Sequence, residues 1–207
     1  MSEQTDSSVH DGDQPQKMWN RYWKQHAHLK EGMGLVPPGE HLAALRKGAY
    51  REPWTVPDMW PFLTEVSYSS NGLVPERIKR QEWAEHTALV LYGFHQQSQS
   101  ESMHTNQYGH SLGRAMRQLF DVDNDPDNIM DSAMGRRVRE LFFATSMPQL
   151  FRQILTFTQL FTASGQNLKL NYNVLFDDLV QWQQPNKRDS VRSRWGRDFY
   201  ATPAKSK

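Results

Sequence analysis

The sequence predicts an all-α chain, arranged as two packed helical bundles joined by a polar linker. Apolar residues recur at three- and four-residue spacing along most of the 207 residues, while two-residue alternation is absent. Helix start and stop residues flank the apolar stretches, and no βαβ alternation, heptad run or internal repeat interrupts them. Only 37% of the residues are apolar and the mean hydropathy is -0.79, so the core must rest on large side chains. Seven Trp, seven Tyr and ten Phe supply them.

The elements follow in order. Residues 1–16 are polar and acidic, without the basic start and apolar middle of a signal peptide, and read as a disordered tail. An N-terminal helical domain spans 17–98. Its first helix, over 16–31, carries Trp19, Tyr22, Trp23, His26 and Leu29 on one stripe. A short helix over 39–47 turns Leu42 and Leu45 inward and ends on Arg46 and Lys47, cations suited to a helix C-terminus. Asp58 is placed to cap a further short helix, with Pro61 in its first turn. Pro75 opens a long helix to about residue 97, burying Ile78, Ala88, Leu89, Tyr92 and His95.

Residues 99–110 are rich in Gln, Ser, His and Asn with no periodicity, and read as a linker or flexible loop. A second helical domain spans 111–200. Leu112, Ala115, Met116 and Leu119 share one face of its first helix, Arg114 and Arg117 another. A helix over 128–145 buries Met130, Met134, Val138, Leu141 and Phe142. Pro148 starts the next, Gly165 ends it, Asn171 caps the one after, and Asp189 caps the last. Residues 201–207 form a tail.

The absence of cysteine excludes disulfides, zinc ribbons and thiol nucleophiles, and suits a cytoplasmic protein. No run approaches the roughly 18–20 apolar residues needed to cross a bilayer, so no membrane partner is expected. Gly109-His110-Ser111-Leu112-Gly113 matches the nucleophile elbow G-x-S-x-G. That serine needs a buried strand before it, and residues 102–108 are too polar to form one. Ser111 reads instead as a helix cap. Asp121, Asp123, Asp125 and Asp127 alternate as in a calcium loop, but Pro126 and Ser132 stand where the glycine and the clamping glutamate are required. The loop reads as a solvated acidic segment that repels phosphate. His26 and His28 point to different helix faces, as do Asp177 and Asp178, so neither pair supports a metal or acid–base chemistry. No catalytic constellation and no cofactor site emerges.

Basic residues carry the remaining signal. Net charge is only +1, yet residues 185–207 hold seven Lys or Arg against two Asp. Arg114 with Arg117, then Arg136, Arg137 and Arg139, then Lys187, Arg188, Arg192, Arg194 and Arg197 form three groups. Arginine grips phosphate bidentately and stays charged, which suits a sequence-independent hold on a nucleic-acid backbone. A solubilising helical face is the plain alternative, and spacing alone favours it.

The order of several short segments points further. Gly39-Glu-His-Leu-Ala-Ala-Leu-Arg-Lys-Gly48 resembles the entry segment of the CasB family, and Ser111-Leu-Gly-Arg-Ala-Met-Arg-Gln-Leu119 its S-L-G-x-A-L-x-x-L segment. Arg136-Arg-Val-Arg-Glu-Leu-Phe-Phe-Ala144 is similar to its basic helix, with Phe142 and Phe143 in place of the usual leucines. Leu170 to Trp182 resembles D-Y-x-x-L-x-x-D-L-x-x-W, and Val191 to Tyr200 resembles V-x-x-x-W-A-x-x-F-Y. The resemblance implies a non-catalytic, two-part helical subunit of the type I-E CRISPR Cascade complex, present twice and stacked head to tail. It implies neighbours in the Cascade backbone and large subunits. It also implies contact with the crRNA–target DNA heteroduplex and the displaced strand, while base pairing reads sequence and a separate helicase-nuclease cuts. The residues expected to hold nucleic acid are Arg46, Lys47, Arg51, Arg114, Arg117, Arg136, Arg137 and Arg139. Lys187 and Arg188 join them, or touch a neighbouring subunit. A helical scaffold with no nucleic-acid role is the other reading.

Overall fold

A computed structural model describes residues 21–27, 35–64, 76–121 and 131–200. The chain there is helical, as its periodicity predicts. Seven α-helices run in order: α1 Gly39–Arg46, α2 Glu76–His95, α3 Leu112–Asp121, α4 Ala133–Phe142, α5 Met147–Ala163, α6 Tyr172–Trp182 and α7 Pro185–Tyr200. Two short 3-10 helices, Tyr22–His26 and Pro57–Phe62, complete the elements. Among the described residues the only β pairing is a parallel bridge between His104 and Leu170.

α2 lies at the centre. It packs against α1, α5, α6 and the first 3-10 helix, and from Ala84 to Gly93 it is buried on every side. α7 packs on α3 and α6, and α4 on α5. The apolar side chains form one continuous cluster that runs from Tyr22 through Leu89 and Phe157 to Phe199, taking residues from both expected domains. Trp23, Trp182, Trp195, Tyr92 and Tyr172 are its largest fully buried members.

Several helix ends are as read from sequence. Ser111 Oγ accepts the Arg114 N–H at 3.2 Å, and Asn171 Oδ1 accepts those of Asn173 and Val174 at 3.1 and 3.2 Å. Gly165 follows α5 with φ of 68°, a left-handed stop that glycine adopts without strain.

Others differ. Residues 22–26 form one 3-10 stretch and not part of a long helix, because Arg21 and Trp23 bond outward to α6: Trp23 Nε1 donates to Asn173 Oδ1 at 3.0 Å. Trp19 and Leu29 lie outside the described residues. Asp58 caps nothing. Val56 holds the cap position, Pro57 opens the turn, and Asp58 pairs with Lys47 at 2.5 Å. Pro61 sits late in that helix. Asp189 lies inside α7, which starts four residues earlier at Pro185, a residue with no N–H to leave unpaired. The Gln184 carbonyl takes the N–H groups of Lys187 and Arg188 at 2.9 and 3.0 Å. α4 begins at Ala133, capped by Ser132, and Asp123, Asp125, Asp127 and Met130 lie outside the described residues.

Residues 99–110 form an irregular segment between α2 and α3, and part of it is packed into the core. Ser102, His104 and Thr105 are fully buried and Met103 nearly so. Gln96, itself buried, folds the segment back: its Oε1 accepts the Met103 N–H at 2.9 Å and its Nε2 donates to the Glu101 carbonyl at 2.7 Å. Ser102 Oγ donates to the His26 carbonyl. The polarity is that of buried groups with partners, which a sequence profile shows in the same way as a loop.

Candidate nucleic-acid interface

Folding engages some of the basic side chains and leaves others without a side-chain partner among the described residues. Arg46 directs Nη1 to the Gly93 carbonyl at 3.2 Å, tying α1 to α2. A side chain at Gly93 would meet Leu45 Cβ at 2.9 Å, so the helices approach closely where that bond forms. Lys47 is ion-paired with Asp58. Arg51 is exposed, and its guanidinium has no hydrogen bond or ion pair among the described residues.

In the second half, Arg117 is turned inward, only 8% exposed, with its guanidinium 5.9 Å from the Phe120 ring centre. That removes it from the face it was expected to share with Arg114. Arg136 is exposed and donates to the Asp131 carbonyl at 2.9 Å. Arg137 is exposed and free among the described residues. Arg139 is half-buried, and its charge draws the Tyr200 hydroxyl downward against burial, which dominates and raises it. Lys187 is exposed. Arg188 lies on the Trp182 ring at 4.4 Å and donates Nε to the Trp182 carbonyl at 3.1 Å, bracing the α6–α7 turn.

The fold brings one predicted residue into a shared cleft with others. Arg114 on α3 and Arg194, Arg197 and Asp198 on α7 line it together with segment 106–111 and the start of α6, around a volume of about 460 Å³. α3 and α7 touch so closely that a Cβ at Gly113 would stand 2.3 Å from the Trp195 carbonyl. This contact places Arg114 opposite α7. Arg194 is engaged by Asp178, whereas Arg114 and Arg197 have no side-chain hydrogen bond or ion pair among the described residues. Arg194 and Arg197 were visible in sequence as a basic group but were not singled out. Tyr108 and Asn171 carried no signal as site residues.

Ser111 borders the same cleft. Its hydroxyl donates to Asp198 Oδ2 at 2.5 Å while accepting the Arg114 N–H. The neighbouring His110 ring faces the Lys169 carbonyl at 3.3 Å. The serine proton is therefore held by a carboxylate, and the adjacent imidazole is engaged elsewhere. Asp177 and Asp178 separate as expected: Asp177 pairs with Arg21 at 3.1 Å at the surface, and Asp178 is buried. Among the described residues no group of three or more His, Asp or Glu is placed to hold a metal, and no helix is long and apolar enough to cross a membrane.

Residues 41–200 match the family described as CRISPR-associated protein Cse2. The crystal structure of CasB from Thermobifida fusca superposes with a TM-score of 0.61 at 27% identity, over 79% of this chain and 85% of that one. CasB from Thermus thermophilus gives a TM-score of 0.53 at 19% identity, over 79% and 86%, a likeness of fold. No functionally curated protein matches the sequence.

Proposed function

The chain belongs to the CRISPR-associated Cse2 family, and from that membership we propose that it serves as a non-catalytic small subunit of a type I-E Cascade complex in cytoplasmic antiviral defence. In this role it steadies the crRNA–target DNA heteroduplex and the displaced strand by gripping the sugar–phosphate backbone, leaving sequence to base pairing.

The observation that carries this reading is the set of cations that folding leaves unused. Arg51, Arg114, Arg137, Arg197 and Lys187 have no side-chain hydrogen bond or ion pair among the described residues. Arg46 and Arg188, by contrast, are tied to backbone carbonyls of the fold. Unpaired guanidinium groups on α3, α4 and α7 suit phosphate, which they bind in a fork without regard to base. Protein neighbours in this reading are the Cascade backbone and large subunits and a second copy of the chain, head to tail. Large exposed apolar side chains at Tyr50, Trp60 and Phe143 suit such contacts.

The test is a salt titration of assembled complex on target DNA with Arg114, Arg136, Arg137 and Arg139 changed singly to Ala. Each lost phosphate contact flattens the slope of log affinity against log salt by roughly 0.7–0.9. Two or more of the four are expected to do so, by the same amount for different target sequences and without lowering Tm. Unchanged slopes for all four, or losses that follow target sequence, overturn the reading.

A further inference from the structure

Segment 106–111 presents Tyr108 to solvent with its ring fully exposed. Gly109 follows with φ of 86° and open space where a Cβ would stand, so backbone shape and not packing of the tyrosine sets this turn. An aromatic ring with no packing role stands here on the rim of the cleft that holds Arg114 and Arg197. On the same cleft, Asn171 commits Oδ1 to capping α6 but leaves its amide N–H groups without a partner among the described residues. Against these stands Asp198, one of whose oxygens already accepts the Ser111 hydroxyl; with Arg194 neutralised by Asp178, the balance of charge stays positive.

These groups form a set: a π face, two guanidinium forks and an amide donor around about 460 Å³, within the ~300–1,000 Å³ of small-ligand clefts. A base offers its face to a side chain only where it is unstacked, so a duplex does not use the ring, and a splayed single strand does. We infer that this cleft holds one unpaired nucleotide of a single strand, its base stacked on Tyr108 and its phosphate held by Arg114 and Arg197. The inference rests on the nucleic-acid role proposed above and specifies where a single strand is gripped and how.

The full chain is titrated with a thymidine 20-mer carrying one central 2-aminopurine, and with the same strand annealed to its complement. Wild-type binding is expected to quench the 2-aminopurine. Tyr108→Ala weakens single-strand binding roughly 5- to 150-fold, the size of one base–aromatic stack, and abolishes the quench. Tyr108→Phe keeps both, and duplex affinity changes in neither. Arg114→Ala and Arg197→Ala each flatten the single-strand salt slope by about 0.7, whereas Tyr108→Ala leaves it alone. An unchanged single-strand affinity for Tyr108→Ala overturns the inference, as does an equal loss on duplex. A Tyr108→Ala chain that binds DNA normally but fails to enter the assembled complex also overturns it, and assigns the ring to a protein neighbour. If the wild-type chain does not bind the 20-mer at 50 mM salt, the nucleotide cleft falls, while the salt titration of assembled complex still decides the broader role.

Discussion

Asp178 Oδ2 accepts the indole N–H of Trp195 at 2.6 Å inside the core, while its other oxygen takes Arg194. This pair joins α6 to α7 and holds α7 at the angle that brings Arg197 to the cleft. Burial raises the Asp178 carboxyl above its ordinary range, against the Arg194 and Trp195 hydrogen bonds that lower it. Asp178→Asn keeps the shape but turns an amide N–H₂ toward the guanidinium or the indole, leaving donors facing each other. We expect a loss of about 1–3 kcal/mol in urea unfolding, and a neutral outcome would show that the pair does not set the α6–α7 contact.

Stability is expected to fall in acid because buried histidines are held in their neutral form: burial lowers His86 and His26 as well, and His95 and His104 furthest. The Tyr172 N–H donates to His104 Nδ1 at 3.2 Å, so the His104 proton sits on Nε2 and points to Asn106 Oδ1 at 3.2 Å. The His95 Nδ1 lies 3.1 Å from the Tyr172 hydroxyl. Burial lowers both from 6.5 to about 4. The unfolded chain thus binds more protons between these values, and the folded state loses stability as pH drops from about 6.5 toward 4. At about 1.4 kcal/mol per pH unit, each contributes on the order of 3 kcal/mol, less than additively because both contact Tyr172. Asp178 acts with the opposite sign, holding its proton more tightly when folded. Urea midpoints at pH 7, 5.5 and 4.5 should fall steadily in the wild type and more gently in His95→Gln.

Ser111→Ala should cost roughly 0.5–2 kcal/mol through the lost cap, and the folded protein should assemble and bind as the wild type does. A folded variant that fails in the complex would show that the hydroxyl's hold on Asp198 of α7 serves the cleft as well as the cap.

Arg46→Ala and Arg137→Ala should separate cleanly. The first loosens the α1–α2 contact and lowers Tm with no change in salt slope. The second leaves Tm unchanged and flattens the slope by roughly 0.7–0.9. The reverse pattern would mean that the unpaired charge is the structural one.

The contrast between these two arginines also marks what can be read from sequence. Each follows a helix pattern, and nothing local distinguishes them; the Gly93 carbonyl that engages Arg46 is 47 residues away. α5 and α6 were legible because their apolar spacing, Gly165 and Asn171 are local signals. The 3-10 helix at Tyr22–His26 was not, since it is held by Asn173 and Asp177 on α6. The caps assigned to Asp58 and Asp189 gave way to Pro57 and Pro185, which open their helices sooner. Residues 102–105 are irregular, as read, but their burial was not legible, because hydrogen-bonding side chains look alike in solvent and in a core.

α2 has neighbours on all sides, and this governs how the molecule exchanges its backbone hydrogens with heavy water. The amides from Ala84 to Gly93 have no surface from which a local fluctuation could reach them. Their deuterons should arrive last and together, at the rate of global opening, while those of α4, where Ala133, Arg136, Arg137 and Glu140 are exposed, arrive early.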